Sequence, residues 1–234
     1  MRSDMRQVRR GRTARRLVAL GVLGLAAACT TADAAESDGR TSPEATPDAP
    51  ALSAAMDSAL AQVRAATMKY QDVDVAIADG YMRDPFDVCE TADMMGRPAS
   101  DGAMGIHFAH PGRLGITAPP NPRVDGSSTH TDFLQPGVLI YEPQADGSLE
   151  LVAVENLVFL EAWKAAGNTE PPAFMGQPYN LMVDDPATEL DEAHRFAPHY
   201  DLHVWLYREN PRGTFAQFNP DVSCASHKGA AHGH

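Results

Sequence analysis

The 234-residue chain predicts an α+β fold, with N-terminal helices packed on a mainly antiparallel β-sheet or small barrel. Three observations carry this expectation. Apolar residues recur at helical spacing over Leu52–Tyr70. Two apolar stretches, Val138–Tyr141 and Leu149–Phe159, flank a connection containing Asp146-Gly147, which is hairpin composition. His199–Tyr207 alternates as a further strand.

Taken in chain order, Leu52, Met56, Leu60, Val63, Thr67 and Tyr70 step by three or four and share a helical face. Thr67 is the polar member of that stripe; its methyl group packs and its hydroxyl bonds back to the preceding turn. A second helix is expected from Asp72 or Asp74, as N-cap, to Ala78, with Val73 and Ile77 facing the core and Gly80 as C-cap. Met82–Met104 reads as loop. His107 lies in the short apolar stretch Ile106–Phe108, and His110–Gly137 is a long Pro-, Gly-, Ser- and Thr-rich segment, a length typical of lids and binding loops. After the hairpin come a helical turn at Glu161–Ala166 ended by Gly167-Asn168, a strand at Tyr179–Val183, an acidic helix at Pro186–Ala193 and the His199–Tyr207 strand. Asn210-Pro211-Arg212-Gly213 and Asn219-Pro220 are turn signals.

The ends read differently. Seven Arg and one Asp in the first sixteen residues precede an apolar run, Leu17–Ala28. That is a signal peptide, residues 1–28, too short to span a bilayer. Leu25-Ala26-Ala27-Ala28-Cys29 resembles a bacterial lipobox, which makes Cys29 the lipidation site; the competing cut is Ala32-Asp33-Ala34. Residues 29–50 lack large apolar side chains and form a disordered tether. Residues 51–225 are one α+β domain, and 226–234 a disordered His-rich tail. The expected location is the bacterial cell envelope or periplasm, with membrane contact only through the lipid anchor.

Removing residues 1–28, with their seven Arg and one Asp, leaves 12 basic against 30 acidic residues, a net charge near −18. Such a surface argues against nucleic acid and anionic headgroups as partners. With Cys29 lipidated, two of the three cysteines remain. Outside the cytoplasm Cys89 and Cys224 are expected to close a disulfide, the alternative being two separate buried thiols.

Three apolar stretches each hold one ionisable residue: His107, Glu155 in Leu151–Phe159, and His203 in Leu202–Leu206. Strand parity puts Glu155 on a face with Leu151, Ala153, Leu157 and Phe159, opposite Val152, Val154, Asn156 and Val158. Asp201, His203, Trp205 and Tyr207 share a face of the last strand. A carboxylate in such a setting costs several kcal/mol, roughly, unless it is paired. Two imidazoles and one carboxylate suit a divalent transition metal, Zn, Fe, Mn or Ni, and leave a coordination position open for a small molecule. His110 and His199 are further ligand candidates, and Asp201 a candidate to orient a ligand. Two metal-free readings stand beside this one: a functional pocket, or a structural network in which Tyr141, Tyr200, Tyr207 or Arg208 satisfies Glu155. No G-x-S-x-G, G-x-G-x-x-G, P-loop, H-E-x-x-H or C-x-x-C-H motif occurs.

The blocks Met104-Gly105-Ile106-His107, Val154–Phe159, His199–Trp205, Asn210-Pro211-Arg212-Gly213 and Phe218–Cys224 resemble those of a family of small exported bacterial proteins of unknown function. The resemblance covers most of residues 56–224. It implies export and a shared fold, and no activity.

Overall fold

The computed structural model describes residues 49–116 and 123–229. The signal segment, Cys29, the tether up to residue 48 and the tail beyond Gly229 lie outside the described residues.

The N-terminal periodicity forms α1 (Ala49–Thr67), so the helix starts two residues inside the expected tether. A 3₁₀ turn, Met68–Gln71, continues it. Burial is confined to the C-terminal part of the stripe: Val63, Thr67 and Tyr70 are buried, whereas Leu52 is exposed. The Thr67 hydroxyl donates to the Val63 carbonyl, 2.8 Å away, so the polar member of the stripe is satisfied by its own helix. In α2 (Val73–Ala78) Asp72 is the N-cap, accepting from the Asp74 amide. Here the expected core face needs correcting. Val73 packs against the core as expected and Ala76 is buried beside it, but Ile77 is exposed, because a helix this short presents only part of one face inward.

Seven strands form one sheet whose pairings are all antiparallel. They are β1 (Met82–Arg83), β2 (Cys89–Thr91), β3 (Ala103–Ala109), β4 (Val138–Pro143), β5 (Leu149–Phe159), β8 (Asn180–Met182) and β9 (His199–Trp205). Their order is β1-β3-β4-β5-β9-β8, with β2 sharing the β3 edge with β1. A separate ribbon pairs β6 (Ala173–Phe174) with β7 (Gln177–Pro178). Among the described residues the sheet does not close into a barrel.

Alternation divides the sheet into two buried faces. Ile106, Phe108, Leu139, Tyr141, Val154, Val158, Leu202 and Val204 pack against Val63, Tyr70 and Tyr81. The other face carries Val138, Ile140, Ala153, Leu157 and Trp205, covered in part by Leu114 of α3 (Pro111–Leu114) and by Val222. Leu151 breaks the simple parity. Ile140 pairs with Ala153 but Tyr141 with Leu151, so Val152 is an extra residue in β5. The bulge moves Leu151 to the α1 face and Val152 to the face of Ala153. Gly105 takes φ +118° in β3, and a Cβ there would stand 2.7 Å from the Tyr141 carbonyl oxygen; only glycine fits both demands.

Cys89 and Cys224 form a disulfide, with Cα atoms 5.7 Å apart and a sequence separation of 135. It ties β2 to the C-terminal loop. Closing so long a loop contributes roughly 5 kcal/mol in the chain-entropy treatment. His227, assigned by sequence to the tail, is held down: its Nε2 lies 2.7 Å from the Asp87 carbonyl oxygen.

The acidic segment Pro186–Ala193 is not a helix but a series of turns. Its short polar side chains take the backbone amides that a helix would use. Asp185 accepts from Ala187, Asp184 from Ala193 and Asp191 from Arg195. Arg123 pins the loop, pairing with Asp184 and Asp191 and donating to the Phe196 carbonyl. Val124 and Phe196 bridge alongside.

Candidate metal centre

The register of the sheet assembles the site. Glu155 of β5 lies directly opposite His203 of β9, and on its other side opposite Val138 of β4. His107 of β3 pairs with Ile140 of β4. His107 and Glu155 therefore flank β4 on one face and meet above it. His107 Nε2 is 3.4 Å, and His203 Nε2 3.6 Å, from Glu155 Oε2. Ligand atoms of the three residues all lie within 4.8 Å of one another. This group can hold a metal ion.

These distances are long for hydrogen bonds, which run about 2.7–3.2 Å. Among the described residues, Glu155 Oε2 and both ring nitrogens of His203 are buried with no hydrogen-bond partner. Two ligand atoms each about 2.1 Å from a tetrahedral metal stand about 3.4 Å apart. The observed spacing thus suits coordination better than direct bonding. Three of the four residues proposed by sequence as alternative partners of Glu155 are engaged elsewhere, and the fourth, Tyr200, packs against the core on the α1 side of the sheet. Arg208 pairs with Glu142 and Glu150. The Tyr141 and Tyr207 hydroxyls donate to the carbonyls of Tyr70 and Arg64.

Burial and charge act differently on the three groups. Burial pulls the His203 pKa down to about 4, outweighing the pull of Glu155, so the ring is neutral. Burial acts on His107 in the same direction, but the neighbouring carboxylate outweighs it and His107 is raised. Burial raises Glu155, and the opposing charges of His203 and His107 overcome it, leaving the carboxyl below the ordinary value.

The secondary candidates separate. His110 caps α3: its Nδ1 accepts from the Arg113 amide, and its Nε2 lies 3.1 Å from the Asp79 carbonyl. Both nitrogens are occupied away from the group, so His110 is not a ligand. His199 lines the same cavity as the three residues. Its Nδ1 donates to the Ala197 carbonyl at 2.9 Å, which makes Nε2 the lone-pair nitrogen. It lies outside the mutually close group of three. Asp201 also lines the cavity, and its side chain meets Asn180 of β8 at 3.5 Å. Burial, first, and then the charge of Glu155 push its pKa well above the ordinary carboxylate value.

The cavity measures about 240 Å³. Its walls are mainly apolar, with Met82, Met104, Ile116, Val124, Leu157 and Phe196 around the polar group. Further charged or polar residues also line it: Arg83 of β1 and the adjacent Asp84, Glu90 of β2 and His194 of the pinned loop. Residue order gave no clear sign of Glu90 and His194. Glu90 follows Cys89 in a segment read as loop, and His194 follows a run read as a helix. The signal that was present, a His within reach of His199 and His203 along the chain, acquires meaning only once the loop folds back.

No family model matches the chain, and no match is found among curated proteins or solved structures.

Proposed function

We propose that this chain is an exported metalloprotein. In this reading His107, Glu155 and His203 bind one divalent transition metal, Zn, Fe, Mn or Ni, and the metal faces a small, largely apolar organic molecule in the cavity. One observation carries the reading: a buried carboxylate oxygen stands 3.4 and 3.6 Å from two imidazole nitrogens, with no hydrogen bond to that oxygen among the described residues. Three protein ligands leave a position for water or substrate. A metal there polarises a carbonyl or supplies hydroxide near neutral pH, which makes hydrolysis or hydration of a small carbonyl compound the reaction class that fits.

Export is supported by the Cys89–Cys224 disulfide, by the N-terminal signal pattern and by the resemblance to small exported bacterial proteins. No helix of the described residues is long and apolar enough to cross a membrane. The lipobox at Cys29 supports anchoring by lipid in the cell envelope.

Elemental analysis of protein made without an affinity tag tests the metal. Bound metal is expected in the wild type and is lost in Glu155→Gln and His203→Asn variants that keep the wild-type circular dichroism spectrum. A wild-type protein that neither contains metal nor takes up added Zn²⁺ or Mn²⁺ overturns the reading.

A further inference from the structure

We propose that Glu90 and His194 hold a second divalent cation in the same cavity, making the centre binuclear. This second ion deepens the single-metal reading and rests on it for the pairing, but it is held by separate residues.

Four observations lead there. First, the spacing seen at Glu155 recurs. His194 Nδ1 is 3.5 Å from Glu90 Oε2, again about the edge between two ligands of one tetrahedral metal. Second, the His194 side chain is only 10% exposed and faces the cavity, yet neither ring nitrogen has a hydrogen-bond partner among the described residues. A buried imidazole left so is costly, and a cation between it and Glu90 satisfies both.

Third, the backbone is strained to deliver this ring. His194 has φ +52° and Arg195 φ +64°, left-handed conformations that non-glycine residues adopt at a cost. The Arg123 pairs with Asp184 and Asp191 hold the loop in that shape. Fourth, the two ligand sets adjoin. The His107 and His194 rings are 6.3 Å apart between centroids, and Glu90 pairs across β2–β3 with Gly105, two residues from His107 on the same strand face. Two cations in one small cavity form the clamp used to activate a shared water and steady a developing oxyanion. With two protein ligands against three, the Glu90–His194 ion is the weaker bound.

Metal-free full-length protein carrying His232→Asn and His234→Asn, which remove the last tail imidazoles as adventitious ligands, is titrated with Zn²⁺ by calorimetry and checked by elemental analysis. Two equivalents are expected, the second at least tenfold weaker. Glu90→Gln and His194→Asn each remove only the weaker one. With Mn²⁺, the spin-coupled resonance of the doubly loaded protein is replaced by a mononuclear six-line spectrum in those variants. His194→Asn, in the loop rather than the sheet, keeps the test usable if Glu90→Gln unfolds. Saturation at one equivalent, unaffected by Glu90→Gln and His194→Asn, overturns the second site and leaves the first intact. One equivalent lost in those variants but kept in Glu155→Gln and His203→Asn supports the Glu90–His194 site and overturns the first.

Discussion

Glu155 and His203 are direct cross-strand partners in the middle of β5 and β9, with Oε2 and Nε2 3.6 Å apart. The same registration that buries Val154 against Val204 on one face presents this acid and this base to the cavity on the other. Packing one face of the sheet thereby sets the geometry of the site, since a slip of one residue between β5 and β9 would turn one of the two groups away from the cavity.

A first prediction concerns the cost of the site. A buried carboxylate without metal is maintained against its desolvation. The charge of the neighbouring imidazoles overcomes that cost and holds the Glu155 pKa below its ordinary value, so metal-free Glu155→Gln is expected to melt below the temperature of metal-free wild type near neutral pH. Zinc at 100 times its Kd stabilises a one-site protein by about 2.7 kcal/mol. Thermal melts with and without Zn²⁺ should therefore show a shift for wild type and none from this site for the variant.

A second prediction concerns acid. Burial draws the His199 pKa from 6.5 to about 4, against the pull of its bond to Ala197. The unfolded chain then takes up a proton that the folded state refuses. Stability is full above the unfolded value of about 6.5, and it falls as pH drops from there toward the folded value of about 4. Denaturant titrations of metal-free protein across this window should show the decline. His199→Gln should flatten it by close to one proton, and an unchanged slope would show that the burial of His199 is not felt.

A third prediction concerns the disulfide. Replacing Cys89 and Cys224 together by Ala should lower unfolding stability by roughly 3–5 kcal/mol. Because Cys89 adjoins Glu90 in β2, amide exchange is expected to rise along the β2 edge of β3 before it rises in β5. Uniform acceleration across all strands would contradict that local role.

A fourth prediction concerns the loop over the cavity. Arg123→Ala removes two ion pairs and a bond to the Phe196 carbonyl. Its Arg is partly exposed, so the expected loss is about 1–2 kcal/mol. The informative readout is local. The amides of Val124 and Ala197, which bond across the two segments, should exchange faster while β5 and β9 stay protected.

Much of this was legible in residue order, for identifiable reasons. The hairpin, the last strand and α1 announce themselves because a period of two or of three to four reports which side chains are buried. His107, Glu155 and His203 stood out because an ionisable group inside an apolar strand is rarely tolerated without a partner. The Cys89–Cys224 bridge followed from counting thiols. Leu151 was misassigned because a bulge adds one residue and inverts parity. The helix expected at Pro186–Ala193 failed because Asp and Thr side chains bond the nearby backbone, a competition that composition does not arbitrate.

By itself, then, the order of residues determined the α+β class, the two-faced strands and the choice of His107, Glu155 and His203, since each depends on local periodicity or on the free energy of burying a charge. Only the tertiary structure decided that His110 faces away to cap a helix, that Arg208 serves Glu142 and Glu150, and that Glu90 and His194, about a hundred positions apart, meet at 3.5 Å. The physical reason is that pairing across a sheet and the folding back of a pinned loop join residues whose separation along the chain carries no information about their separation in space.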